Sequence, residues 1–136
     1  MTIERSKEMN KEQKFFICKH CGNLVGMIFS SGAPMVCCGD KMTELVANTT
    51  DAATEKHVPV VTVEGNTVTA VVGSVEHPMQ PEHYIQWIYL LTTTSGHRTA
   101  LQPGEAPKAV FTLQDGEKPV AVYEYCNLHG LWKTEL

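Results

Sequence analysis

Four of the five cysteines in this chain lie within twenty-one residues: Cys18 and Cys21 with two residues between them, then, after fifteen more, the adjacent pair Cys37 and Cys38. Two chelating pairs, each on a tight turn, can set four thiolates at the corners of a tetrahedron, the geometry of iron-thiolate and structural zinc sites. Gly22 and Gly39 each follow a pair by one residue, where such a turn calls for positive φ. Adjacent cysteines cannot form the symmetric knuckle of a C-x-x-C pair, so the expected site is a distorted tetrahedron. Spacing alone leaves zinc and iron both open. The surrounding segment, Phe15 to Leu45, has only short apolar runs broken by Gly22, Gly26, Gly32, Pro34 and Gly39. Below ~40 residues such a segment does not close a core unaided, so a metal staple is expected.

Charge and hydropathy exclude two function classes. Eleven Lys and Arg against fifteen Asp and Glu give a net charge of -4. The basic residues are scattered, so no nucleic-acid footprint forms. No apolar run approaches the ~20 residues of a bilayer span, so no membrane insertion is expected. Residues 1–14 are polar and of mixed charge, which reads as a tail and not as a secretory signal. A cytoplasmic address is the expectation, and in a reducing compartment an odd cysteine count argues for metal ligation over disulfides.

After Val46 a polar linker leads to strand-like runs. Val58 to Val63 and Thr67 to Val72 flank Glu64, Gly65 and Asn66 as a hairpin. Further strands are expected at Tyr84 to Thr92, Thr99 to Leu101, Ala109 to Leu113, Pro119 to Tyr125 and Leu131 to Thr134. No sustained helical period appears. Short strands at this spacing predict a mainly β chain: a tail over 1–14, a small metal-binding domain over 15–46, and an immunoglobulin-like antiparallel β-sandwich over 47–136.

A second constellation joins the remaining cysteine to histidines at strand ends and loops: His57 after Glu55 and Lys56, His77 and His83 around Pro78 and Pro81, and His129 three residues after Cys126. One thiolate with four imidazoles suits iron, copper or zinc. Five protein donors would leave an octahedral ion one open position, where a substrate could bind. His20 and His97 read as surface residues.

The stretches CKHCGN, MVCCGDKM, DAATEKHVPV, VGSVEHPMQPEHYIQWIYL and YEYCNLHGLWK, in this order from Cys18 to Lys133, resemble the desulfoferrodoxins, two-iron superoxide reductases. The longer polar start before Cys18 and the region 93–98 depart from the family pattern without touching a motif. The resemblance implies a rubredoxin- or desulforedoxin-like Fe(Cys)4 centre at Cys18, Cys21, Cys37 and Cys38. It implies a second iron with His57, His77, His83 and His129 as equatorial nitrogens and Cys126 as axial sulfur. Glu55 and Lys56 match the family's catalytic pair beside the open sixth position. The implied activity is one-electron reduction of superoxide to hydrogen peroxide in oxidative-stress defence, with a rubredoxin-type donor and a homodimeric assembly. The rival reading is a non-catalytic, rubredoxin-like electron-transfer protein whose second iron is saturated.

Overall fold

The computed structural model describes residues 12–136, so the expected tail over 1–14 falls almost wholly outside the described residues. The chain forms two compact units, which divide at residues 46 and 47.

In the small unit, residues 12–46, strands β1 (Phe15–Ile17), β2 (Leu24–Gly26) and β5 (Thr43–Glu44) form an antiparallel sheet in the order β2-β1-β5. β3 (Val36–Cys37) and β4 (Asp40–Lys41) make a hairpin of their own. Its two-residue turn is Cys38-Gly39, with φ of 53° and 80°. Positive φ at both central residues is the mark of a type I′ turn, whose twist matches that of the strands. The turn is also how two adjacent cysteines serve one site, Cys37 from the strand and Cys38 from the bend. Among these residues only Phe15 and Cys18 are buried, while Ile28, Phe29, Val36 and Val46 lie exposed. One buried aromatic is worth ~1.5–3 kcal/mol, far below the cost of ordering some thirty residues at ~1–2 kcal/mol each. The small unit therefore depends on something other than a core.

The large unit, residues 47–136, is a seven-stranded antiparallel sandwich. β6 (Pro59–Glu64), β7 (Thr67–Val72) and β10 (Lys108–Thr112) form one sheet in the order β10-β7-β6. β8 (Ile85–Thr92), β9 (Gly96–Ala100), β11 (Pro119–Cys126) and β12 (Gly130–Glu135) form the other, in the order β12-β11-β8-β9. Strict alternation turns Val68, Ala70 and Val72 of β7 and Ala109 and Phe111 of β10 inward. They meet Ile88 and Leu90 of β8 and Val122 of β11 in one core, which Cys126 joins at its end. Such a core holds the large unit without help.

Three local features differ from the sequence-based expectation. β9 begins at Gly96, not Thr99, because an edge strand with sequence GHRTA is polar on both faces and shows no alternation of type. One helical turn, α1 (Thr54–His57), precedes β6; a single turn is too short to show a period. The polar linker is fastened: Asn48 donates from its backbone N–H to the Leu131 carbonyl (3.0 Å) and from Nδ2 to that of Lys133 (3.1 Å), and its Oδ1 accepts from the Lys133 N–H (2.8 Å). Among the described residues no helix is long and apolar enough to cross a membrane.

Candidate metal centres

Five side chains from four segments of the large unit converge at the end of the sandwich core. His57 closes α1, His77 and His83 lie on the segment between β7 and β8, Cys126 ends β11, and His129 lies in the β11–β12 turn. One donor atom from each lies within 4.8 Å of every other. His57 donates from Nδ1 to the Ala53 carbonyl and His77 from Nδ1 to that of Pro78, each at 2.7 Å. These bonds fix the tautomers and leave both Nε2 lone pairs facing inward. The two Nε2 atoms stand 3.2 Å apart, and His129 Nδ1 stands 3.1 Å from that of His57. Cys126 Sγ lies 3.5 Å from His77 Nε2 and 3.8 Å from His129 Nδ1. His83 Nε2 is buried with no hydrogen-bond partner among the described residues.

Converging lone pairs without protons repel one another unless a cation lies between them. Nitrogens at right angles around an ion, each ~2.1 Å from it, stand about 3 Å apart, matching the two closest pairs. Burial pushes the pKa values of His57 and His83 down and that of His77 to about 4, so these imidazoles are neutral ligands at pH 7. Burial raises the pKa of the Cys126 thiol, opposed by the backbone N–H groups of Leu128 and His129, so a bound cation would be what makes it a thiolate. The set fits a single iron.

Several residues around the donors carry no signal in the sequence. Trp132 is buried under His57. Gly73 sits against α1, where a Cβ would meet the Glu55 carbonyl oxygen at 2.6 Å. That oxygen accepts from the Val75 N–H at 2.9 Å and from Ser74 Oγ at 3.3 Å. Glu124, two residues before Cys126, is fully buried with neither carboxyl oxygen partnered among the described residues, and burial pushes its pKa well above the carboxylate range. Glu55 and Lys56 are exposed on α1, and the Lys56 charge reaches His57 and His83. An open groove of about 630 Å³ runs past Lys56, His77, Met79 and Gln80.

The four cysteines of the small unit form the second cluster. Cys21 and Cys37 sulfurs are 3.6 Å apart and those of Cys37 and Cys38 3.9 Å, close to the ~3.8 Å edge of a tetrahedron with metal–sulfur bonds of ~2.3 Å. Cys18 is held down at about 6, led by the Cys21 backbone N–H, while Cys21 and Cys18 as neighbours push Cys38 up to about 12. The Cys18 thiolate forms readily while Cys37 and Cys38 resist, as expected of a cage that needs a cation at its centre. His20 is exposed as expected, with Nε2 2.5 Å from Asp40 Oδ2, which links the two cysteine turns. His97, also expected at the surface, is only partly exposed and lies 2.9 Å from Glu117.

A family model described as Desulfoferrodoxin matches residues 49–135. The chain belongs to the desulfoferrodoxin family. It is 45% identical over 127 residues to the desulfoferrodoxin of Syntrophotalea carbinolica, covering 93% of this chain and 99% of that protein. It is 34% identical over 99 residues to the superoxide reductase of Pyrococcus horikoshii, covering 60% and 86% respectively. Among solved structures, the superoxide reductase of Treponema pallidum superimposes with a TM-score of 0.77 at 39% identity over 91% of this chain and 99% of that one. Like desulfoferrodoxins, the chain carries the donor sets of two mononuclear irons, Fe(Cys)4 and Fe(His)4(Cys).

Proposed function

We propose that this desulfoferrodoxin is a superoxide reductase, with Cys18, Cys21, Cys37 and Cys38 holding one iron and His57, His77, His83, Cys126 and His129 the other. The observation that carries the reading is the convergence of four imidazoles and one sulfur on a single point beside the exposed Lys56. Five donors leave one position of an octahedral ion for a small anion. The net reaction is superoxide plus one electron plus two protons giving hydrogen peroxide. Iron in the five-donor set supplies the one-electron Fe(II)/Fe(III) couple and a Lewis-acid position for the anion.

The chain's own groups do the rest. Lys56 offsets locally a net charge of -4 and draws an anion towards α1, over roughly the ~8 Å that salt leaves unscreened. Its ammonium and the water it orders deliver protons to the reduced oxygen. Glu55, on the same turn, would offer a carboxylate as a further oxygen donor to the iron. Cys126 gives the site a soft, electron-releasing donor from the dry end of the core. The four-cysteine centre has no free position and serves as an electron reserve, refilled by a rubredoxin-type donor. The exposed Ile28 and Phe29 offer a self-association surface for a homodimer in the cytoplasm.

The test is to mix the fully reduced protein with pulse-generated superoxide and to assay both products. One peroxide per superoxide, with no dioxygen evolved, is expected. Dioxygen at half the superoxide consumed would mean dismutation, and no reaction would leave an electron carrier.

A further inference from the structure

Asn127 lies in sequence between two of the five donors, and its side chain is engaged with the segment that carries a third. Its Oδ1 accepts the Tyr84 N–H at 3.0 Å, and its Nδ2 donates to the Glu82 carbonyl at 3.1 Å. Its own N–H donates to the Tyr84 carbonyl at 3.3 Å. The three bonds grip the residues on either side of His83. They lie where ordinary pairing fails: the β8–β11 register shifts between Tyr125 and Cys126, and the ladder ends with Cys126 opposite Ile85. The Asn127 carboxamide, offering a donor and an acceptor side by side, continues that connection as a substitute for a β-bridge.

His83 needs such help more than its neighbours do. His57 and His77 are each oriented by an Nδ1–H bond to a backbone carbonyl. Among the described residues no hydrogen bond orients the His83 ring, and its buried Nε2 has no partner. Beyond edge contacts with the His77 and His129 rings, its placement depends on its backbone. On one side the reciprocal Gln80–His83 bonds, 2.9 and 3.0 Å, close a tight turn. Asn127 holds the other side and ties it directly to the Cys126–His129 turn.

We infer that Asn127 is a positioning residue that keeps His83 in the donor set, and so keeps the number of protein donors at five. The inference rests on the reading of these five residues as iron ligands. Without Asn127 the set falls towards four donors, a number that suits tetrahedral zinc better than an iron with one open position.

The test is a double-mutant cycle on iron retention, read as Fe(II) captured by a competing chelator with no superoxide present. The colour of the four-cysteine centre serves as an internal control for an intact small unit. Asn127→Ala should weaken retention at the five-donor site by about 10–100-fold, as loss of groups that orient metal ligands does. His83→Ala should weaken it at least as much, and the double variant should be no weaker than His83→Ala alone. Asn127→Asp keeps the acceptor for Tyr84, loses the donor to Glu82 and should fall between; it replaces the alanine variant in the cycle if that variant does not fold. Unaltered retention in the Asn127 variants, or losses that simply multiply in the double variant, would overturn the inference. Because retention is measured without turnover, a chain that failed to reduce superoxide would leave the result untouched.

Discussion

The imidazole of His57 lies on the indole of Trp132, with ring centroids 4.9 Å apart and planes 25° from parallel. The same indole donates from Nε1 to the His129 carbonyl at 3.1 Å. One buried side chain of β12 therefore supports two of the five donors at once. Trp132→Ala should cost ~3–5 kcal/mol of large-unit stability, as emptied aromatic sites do. Trp132→Phe keeps a ring under His57, loses the N–H bond, and should cost nearer ~1 kcal/mol. Urea unfolding of the iron-loaded protein measures both, and an alanine variant as stable as the parent would remove Trp132 from the support of the site.

Gly73 has the most severe steric constraint near the site. A methyl group there would meet the Glu55 carbonyl oxygen at 2.6 Å and the Lys56 carbonyl carbon at 3.0 Å, both backbone atoms that cannot rotate away. Gly73→Ala must displace α1, and with it Lys56 and His57. A second-order rate with superoxide at least tenfold lower is expected, with weaker iron retention. Parental values for both would show that α1 can move without consequence.

Lys56→Ile removes the exposed ammonium of α1 without touching a ligand. The rate with superoxide should fall several-fold at low ionic strength, a part of the ~10–10³ that a full set of steering charges supplies, and its dependence on salt should flatten. Stopped-flow or pulse-radiolysis rates at several salt concentrations decide the point. An unchanged rate at low salt would refute the steering role.

Metal removal should separate the two units. With only Phe15 and Cys18 buried, residues 12–46 should lose their structure when the four-cysteine ion is stripped, while the sandwich stays folded with its own core. Amide hydrogen exchange before and after chelation resolves the two. Persistent protection at Phe16 and Ile17 in the metal-free protein would contradict the expectation.

Acid should reach the sandwich through Glu117. Burial alone would push its carboxyl up, but donation from Thr92 Oγ1 (2.5 Å), the Gln114 N–H (2.8 Å) and His97 Nε2 (2.9 Å) outweighs it and holds the group at about 2, from an ordinary 4.5. A folded pKa below the unfolded one stabilises above pH 4.5, and that stabilisation fades as pH falls through the window from 4.5 to about 2. The linkage is on the order of 3 kcal/mol. Glu117→Gln should be destabilised at pH 7, and its deficit relative to the parent should shrink towards pH 2. A deficit constant across that range would exclude the linkage.

The sequence made legible what depends on residue type. Cysteines and histidines cluster for chemical reasons, so both donor sets and the small unit's need for a staple could be read directly. TVTAVV alternates because one face of β7 is buried, and it reads as a strand for the same reason. What stayed hidden depends on contacts between distant segments. Gly73 looks like any turn glycine until α1 lies against it, and Asn127 like any polar turn residue until residues 82–84 arrive. Glu124 is charged by type yet wholly buried, and Glu117, in a DGEK turn, gives no hint that His97 and Thr92 will face it. β9 escapes a reading by pattern because an edge strand need not alternate.

Cys126 closes β11, an interior strand paired on both sides, whereas Glu55 and Lys56 ride on a single exposed turn. The donor set and the charged groups beside it thus rest on parts of the fold with very different tolerance for change. The exposed side chains at 55 and 56 can be exchanged at little cost in folding, so the surroundings of the donor set are free to drift in evolution or in the laboratory while the donors themselves stay put.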